Sequence, residues 1–144
     1  MSLETRYSTI VQMIVLDTSS LIAVLLGEAV KDKLVDSTKG QTLVAPQSLH
    51  WEIPNAFSAM FKRNPPRLTL TEAKEALDLY RTIPIRFVDI DLGRATELAH
   101  LLNIYAYDAF MLAAAERYNA PLLSLDRRCQ EAARTVGITV MEVQ

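Results

Sequence analysis

The chain has 144 residues, half of them apolar and 22% charged, with 15 Lys and Arg against 17 Asp and Glu. That length suits one well-packed domain and not two, and the slight acidity argues against a strongly basic nucleic-acid coat. The longest apolar stretches fall far short of the ~20 residues that span a bilayer, the first dozen residues lack the apolar core of a secretory signal, and a lone Cys129 rules out an internal disulfide; a cytoplasmic protein with no membrane partner is expected.

Residues 1–12 read as a loose extension ahead of Met13, itself a candidate start, and 13–144 as a single domain. Met13 to Leu16 is a short apolar run that ends at Asp17, followed by Thr18, Ser19 and Ser20: a buried strand, a cap, then a helix to about Leu26. Thr42 to Ala45, closed by Pro46, is a second strand. A helix over about Gln47 to Lys62 presents Leu49, Ile53, Phe57 and Met60 on one side, and Asn64-Pro65-Pro66 ends it. Pro54 falls inside that helix, removes a backbone donor and is expected to kink it. Thr69 with Glu72 forms a capping box for a helix to about Arg81. Arg86 to Val88 is a third strand, Asp91 caps a helix to about Leu102, and Tyr107 to Tyr118 forms the next. Pro121 to Leu125 is a strand ending at Asp126, a helix follows to about Val136, and Thr139 to Val143 is the last strand. Strands alternating with helices predict a three-layer α/β/α domain around a mostly parallel sheet of about five strands.

Four carboxylates stand where a strand or loop gives way to a helix: Asp17, Glu52, Asp108 and Asp126. In such a sheet ligands sit beyond the carboxyl ends of the strands, and Asp17 and Asp126 each follow a strand. Each aspartate taken singly serves equally well as an N-cap. Glu52 does not fit that explanation, because Leu49 stands where a capping box needs Ser or Thr. Together the four are the oxygen-only set that Mg²⁺ or Mn²⁺ prefers. His50, His100 and Cys129 lack the spacing of a zinc site.

The run Met13-Ile14-Val15-Leu16-Asp17-Thr18-Ser19, then Glu52 with Asn55, then Tyr107-Asp108-Ala109, then Leu122-Leu123-Ser124-Leu125-Asp126 resembles the PIN-domain ribonucleases, in particular their VapC-type branch, the toxins of toxin–antitoxin pairs. The resemblance implies a PIN-like fold and metal-dependent hydrolysis of RNA phosphodiester bonds, leaving a 5′-phosphate and a 3′-hydroxyl. It implies that Asp17, Glu52, Asp108 and Asp126 hold one or two Mg²⁺ or Mn²⁺ ions, with Ser19, Asn55 and Ser124 in support. Family members often carry Thr where this chain has Ser124. The implied partners are an RNA substrate, a small DNA-binding antitoxin and a second copy of the chain in a homodimer.

Arg127 and Arg128, next to Asp126, are candidate contacts for RNA phosphates; Lys62, Arg63 and Arg67 around the Pro65-Pro66 loop are weaker ones. Tyr105 and Tyr107 are read as rim packing or as base-stacking groups. Trp51, Phe57, Phe61 and the Leu21 to Leu26 helix suit either the core or an apolar groove for a partner helix, with Trp51 the least suited to the core. A degenerate PIN-like domain that binds RNA or protein without turnover is the alternative. An aspartyl-phosphate phosphotransferase is disfavoured, because Ser19 and not an acid stands two residues after Asp17.

Overall fold

A computed structural model describes residues 11–143, so the extension expected over 1–12 lies outside the described residues except for Val11 and Gln12. Gln12 already lines up with the sheet: its carbonyl accepts from Thr42 N at 2.9 Å. The strands are β1 (Met13–Leu16), β2 (Thr42–Pro46), β3 (Ile85–Val88) and β4 (Leu122–Leu123). All pair in parallel, in the order β3-β2-β1-β4. Val15, Val44 and Leu122 are fully buried, as residues of a sheet covered on both faces must be.

The helices are α1 (Thr18–Leu25), α2 (Lys31–Thr38), α3 (Leu49–Phe61), α4 (Leu70–Tyr80), α5 (Leu92–Leu102), α6 (Ala106–Tyr118) and α7 (Arg127–Thr135). From β1 the chain steps outward to β2 and then β3, and afterwards crosses back to β4 on the far side. Right-handed crossovers therefore put α1 to α4 over one face and α5 and α6 over the other. None of the helices among the described residues is long and apolar enough by itself to cross a membrane.

Two expectations need correction. The sheet has four strands, not about five: Thr139 to Val143 contributes only a bridge between Val140 and Leu122. β4 is also shorter than expected, because side chains take the backbone groups beyond Leu123. Ser19 Oγ accepts from Leu125 N at 3.0 Å, Ser124 Oγ accepts from Asp126 N at 3.0 Å, and Gln130 Nε2 donates to the Ser124 carbonyl. Pro54 lies inside α3, as expected, and α3 is continuous through it, with Leu49, Ile53 and Phe57 buried. Helix α2 has no counterpart in the sequence reading. Its lone buried residue is Leu34, too little to give a helical stripe.

Capping follows the sequence more closely. Thr69 and Glu72 close a reciprocal box at 3.1 and 3.0 Å, and Asp91 Oδ1 accepts from Arg94 N at 3.0 Å. Helices α5 and α6 each end on an asparagine in the left-handed region, Asn103 (φ 53) and Asn119 (φ 48), where an asparagine is tolerated far better than most side chains.

Candidate metal centre

The strand order reverses between β1 and β4, and a doubly wound sheet opens a crevice at such a point. Asp17 leaves the carboxyl end of β1 and Asp126 follows β4. Asp17 N donates to the Leu123 carbonyl at 3.2 Å, which ties the two strand ends together. Asp17 Oδ1 accepts from Ser20 N at 3.0 Å and from Ser19 Oγ at 2.7 Å. The same Ser19 oxygen that accepts from Leu125 N thus fixes Asp17 against the loop before Asp126. Ser20 is fully buried and donates to the Leu123 carbonyl at 3.0 Å.

Glu52 enters from the first turn of α3. Its Oε1 accepts from Thr18 Oγ1 at 2.9 Å, so the residue beside Asp17 aims the glutamate on another element. Its Oε2 is buried without a hydrogen-bond partner, as is Ser48 Oγ one turn earlier. Ser48 lies close enough to pull the Glu52 pKa down. Asp108 enters from the first turn of α6, and here the sequence reading needs correction: the N-cap is Tyr105 and Asp108 makes no cap. Asp126 does cap, accepting from Arg128 N at 2.9 Å and from Cys129 N at 3.4 Å.

Electrostatics connect the four. Burial pushes the Asp17 carboxyl above its ordinary range, against the pull of Ser124, the Ser20 N–H and the Ser19 hydroxyl. Burial also raises Glu52, and the charges of Asp108 and Asp17 raise it further. Asp108 is raised by burial, then by Asp126 and Asp17, with Arg128 opposing. The Cys129 thiol is raised by burial and by Asp17, Asp108 and Asp126, which makes it inert as a nucleophile. Glu52 on α3 and Asp108 on α6 both feel the charge of Asp17 at the end of β1.

A divalent cation fits this region by donor type and charge. The donors are hard oxygens, their mutual repulsion calls for positive charge, and Glu52 Oε2 keeps its lone pairs free. Among the described residues, no three Asp, Glu, His or Cys side chains stand as a ready-made cage. A site of this kind suits an ion that keeps part of its water shell, as Mg²⁺ does.

The remaining sequence candidates divide. Ser19 and Ser124 meet the rim directly, and the exposed Arg127 and Arg128 open α7 beside Asp126. Asn55 is exposed, and among the described residues no hydrogen bond ties it to the carboxylates. Phe57 and Leu21 are core, whereas Trp51 is 61% exposed. Thr18 and Ser48 are the site residues that sequence reasoning missed. Both sit among capping residues, and only the tertiary approach of α3 to α1 reveals what they face.

The family model of the PIN domain matches residues 14–135. The chain belongs to the PIN domain family. Among solved structures it is similar to VapBC2 from Rickettsia felis, solved bound to a DNA fragment from its promoter, at a TM-score of 0.62 and 12% identity over 92% of this chain and 100% of that one. It is similar to FitAcB from Neisseria gonorrhoeae at a TM-score of 0.59 and 15% identity, over 90% of this chain and 97% of that one. PAE2754 from Pyrobaculum aerophilum gives a TM-score of 0.57 and 18% identity, over 88% and 95%. At these identities the likeness is one of fold. No curated protein matches the chain.

Proposed function

We propose that the chain is a Mg²⁺- or Mn²⁺-dependent endoribonuclease of the VapC kind, hydrolysing RNA phosphodiester bonds as the toxin of a toxin–antitoxin pair. What supports this reading is the topology, with Asp17 and Asp126 following the two strands on either side of the sheet's switch point, together with the Asp17 charge felt by Glu52 and Asp108. Membership of the PIN domain family supports it. So does likeness to structures named VapBC2 and FitAcB. On the same reading the partner is a small DNA-binding antitoxin, and the chain works as a homodimer in the cytoplasm.

The four carboxylates would hold the ion, and when bound it would supply Lewis acidity and positive charge at the scissile phosphate. The chain's own residues do the positioning. Ser19 and Thr18 fix the rotamers of Asp17 and Glu52 by hydrogen bonds at 2.7 and 2.9 Å. Glu52 Oε2, buried without a protein hydrogen-bond partner, would be the oxygen left for the ion. Arg127 and Arg128 offer cationic donors to flanking phosphates. Hydrolysis breaks the P–O3′ bond, leaving a 5′-phosphate and a 3′-hydroxyl.

Asp17→Asn tests the proposal. Asparagine caps a helix about as well as aspartate, so the variant should fold, with unchanged circular dichroism, while cleavage of total RNA in Mn²⁺ falls by at least a hundredfold. Undiminished cleavage would refute the proposal. One observation favours a second reading, a PIN domain that binds RNA without turnover: no three-carboxylate cage stands ready among the described residues. RNA binding by the wild type with no Mn²⁺-dependent cleavage would select it.

A further inference from the structure

A serine stands in a cap position at the start of α3 without capping it. Ser48 lies between the end of β2 and the first residue of α3, where a serine hydroxyl ordinarily accepts from the helix's first free N–H groups. Here its backbone is already helical (φ -54, ψ -23) and its side chain makes no cap hydrogen bond. Ser48 is 8% exposed, and its Oγ has no hydrogen-bond partner. Glu52 N donates to the Ser48 carbonyl at 3.0 Å, so the two residues stand one helical turn apart on the same face. Among the described residues, the side-chain oxygens and nitrogens buried without a partner are Ser48 Oγ and Glu52 Oε2. A buried polar group left unpaired is costly. A hydroxyl can donate and a carboxylate can only accept, so these two suit each other.

We propose that Ser48 is a positioning residue for the metal centre: its hydroxyl donates to Glu52 Oε2 while Thr18 holds Oε1, which aims the carboxylate at the ion. This rests on the metal-dependent reading above. Each carboxylate oxygen has two lone pairs, so the hydroxyl and the ion need not compete for Oε2. Rotation about the Ser48 Cα–Cβ bond is the movement required, and no hydrogen bond of the hydroxyl opposes it. Ser48 already draws the Glu52 carboxyl downward against burial, as a donor facing a carboxylate does. Thr18, the first residue of α1, and Ser48, in the turn after β2, would then grip the glutamate from two sides. Were Ser48 only a packing residue, alanine in its place would relieve an unpaired buried hydroxyl and leave ion binding as it was.

The probe is Mn²⁺ alone, titrated into the full chain without RNA and followed by loss of the free ion's electron paramagnetic resonance signal. Ser48→Ala should keep the wild-type circular dichroism and weaken Mn²⁺ binding by about 10- to 100-fold, the usual cost of losing a group that orients a metal ligand. Ser48→Thr keeps the hydroxyl and should retain most of the affinity. Ser48→Cys, nearly the same size but a weak donor, should bind more weakly than wild type, and it reads the same question if the alanine variant does not fold. In RNA cleavage, the Ser48→Ala defect should shrink as Mn²⁺ is raised, with the KM for RNA unchanged at saturating ion; a defect of fold would not respond. Wild-type Mn²⁺ affinity in folded Ser48→Ala would overturn the inference. An equal loss from Ser48→Ala in a Glu52→Ala background would overturn it too, because the serine would then act through another group. Mn²⁺ binding that depends on Ser48 but supports no RNA cleavage would remove the ribonuclease and leave the role of Ser48 standing. Mn²⁺-dependent cleavage by a Ser48→Ala variant with unchanged ion affinity would do the reverse.

Discussion

At Asp17 one carboxylate closes the first turn of α1 and also faces the acidic crevice, so capping and ligation need not compete for it. Ser19 and Ser124 were foreseen beside it through the family resemblance, whose motifs carry both hydroxyls. Thr18 was not, since its target Glu52 lies 34 residues away and the approach of α3 sets that distance. The raised carboxyls have a thermodynamic consequence. A group whose folded pKa exceeds its unfolded value binds protons more tightly when folded, so stability falls as pH rises between the two. Asp108 and Glu52 start from ordinary values of 3.8 and 4.5 and are raised, so their contribution is fully present below those values and is lost as pH climbs through the raised ones. Asp108→Asn removes one repelling charge, at the smaller loss of a favourable first-turn acid. In EDTA its Tm should exceed that of the wild type by a few degrees at about pH 8, with the gap closing towards about pH 4 and narrowing when Mg²⁺ is added. Parallel melting curves across that range would show that the carboxylates do not repel one another.

Among the elements, those with a strong local signal match the sequence reading: the capping box at Thr69, the Asp91 cap and the apolar face of α3. The misreadings have physical causes. Helix α2 buries little more than Leu34, and β4 stops after two residues because hydroxyls and Gln130 capture the backbone that a ladder would use. Pro54 lies inside α3, which continues through it with Ile53 before it and Phe57 after it buried. The proline still lacks the N–H that a helix interior uses, and costs up to about 3 kcal/mol relative to alanine. Pro54→Ala should therefore raise the stability of the chain by about 1–3 kcal/mol in urea unfolding, without displacing Glu52. A destabilised variant would mean that the ring itself packs against something α3 needs.

Across the whole molecule, alternation of strands and helices was enough to foresee a parallel sheet covered on both faces. Strand order was not legible, because the crossing from β3 back past β1 to β4 follows from which faces pack together and leaves no local trace. That crossing brings Asp17 and Asp126 side by side. It also leaves β1 as an interior strand, bonded to β2 on one side and β4 on the other, with Val15 N donating to the Pro121 carbonyl and Asp17 N to that of Leu123. Interior strands open only with the whole domain, while edges open locally. In hydrogen–deuterium exchange the amides of Val15 and Asp17 should be among the slowest in the chain, slower than those of the edge strand β3; fast exchange at Asp17 would contradict this. The floor of the crevice would then keep its shape through every partial opening of the protein, and heat would abolish the site only at the temperature where the chain itself is lost.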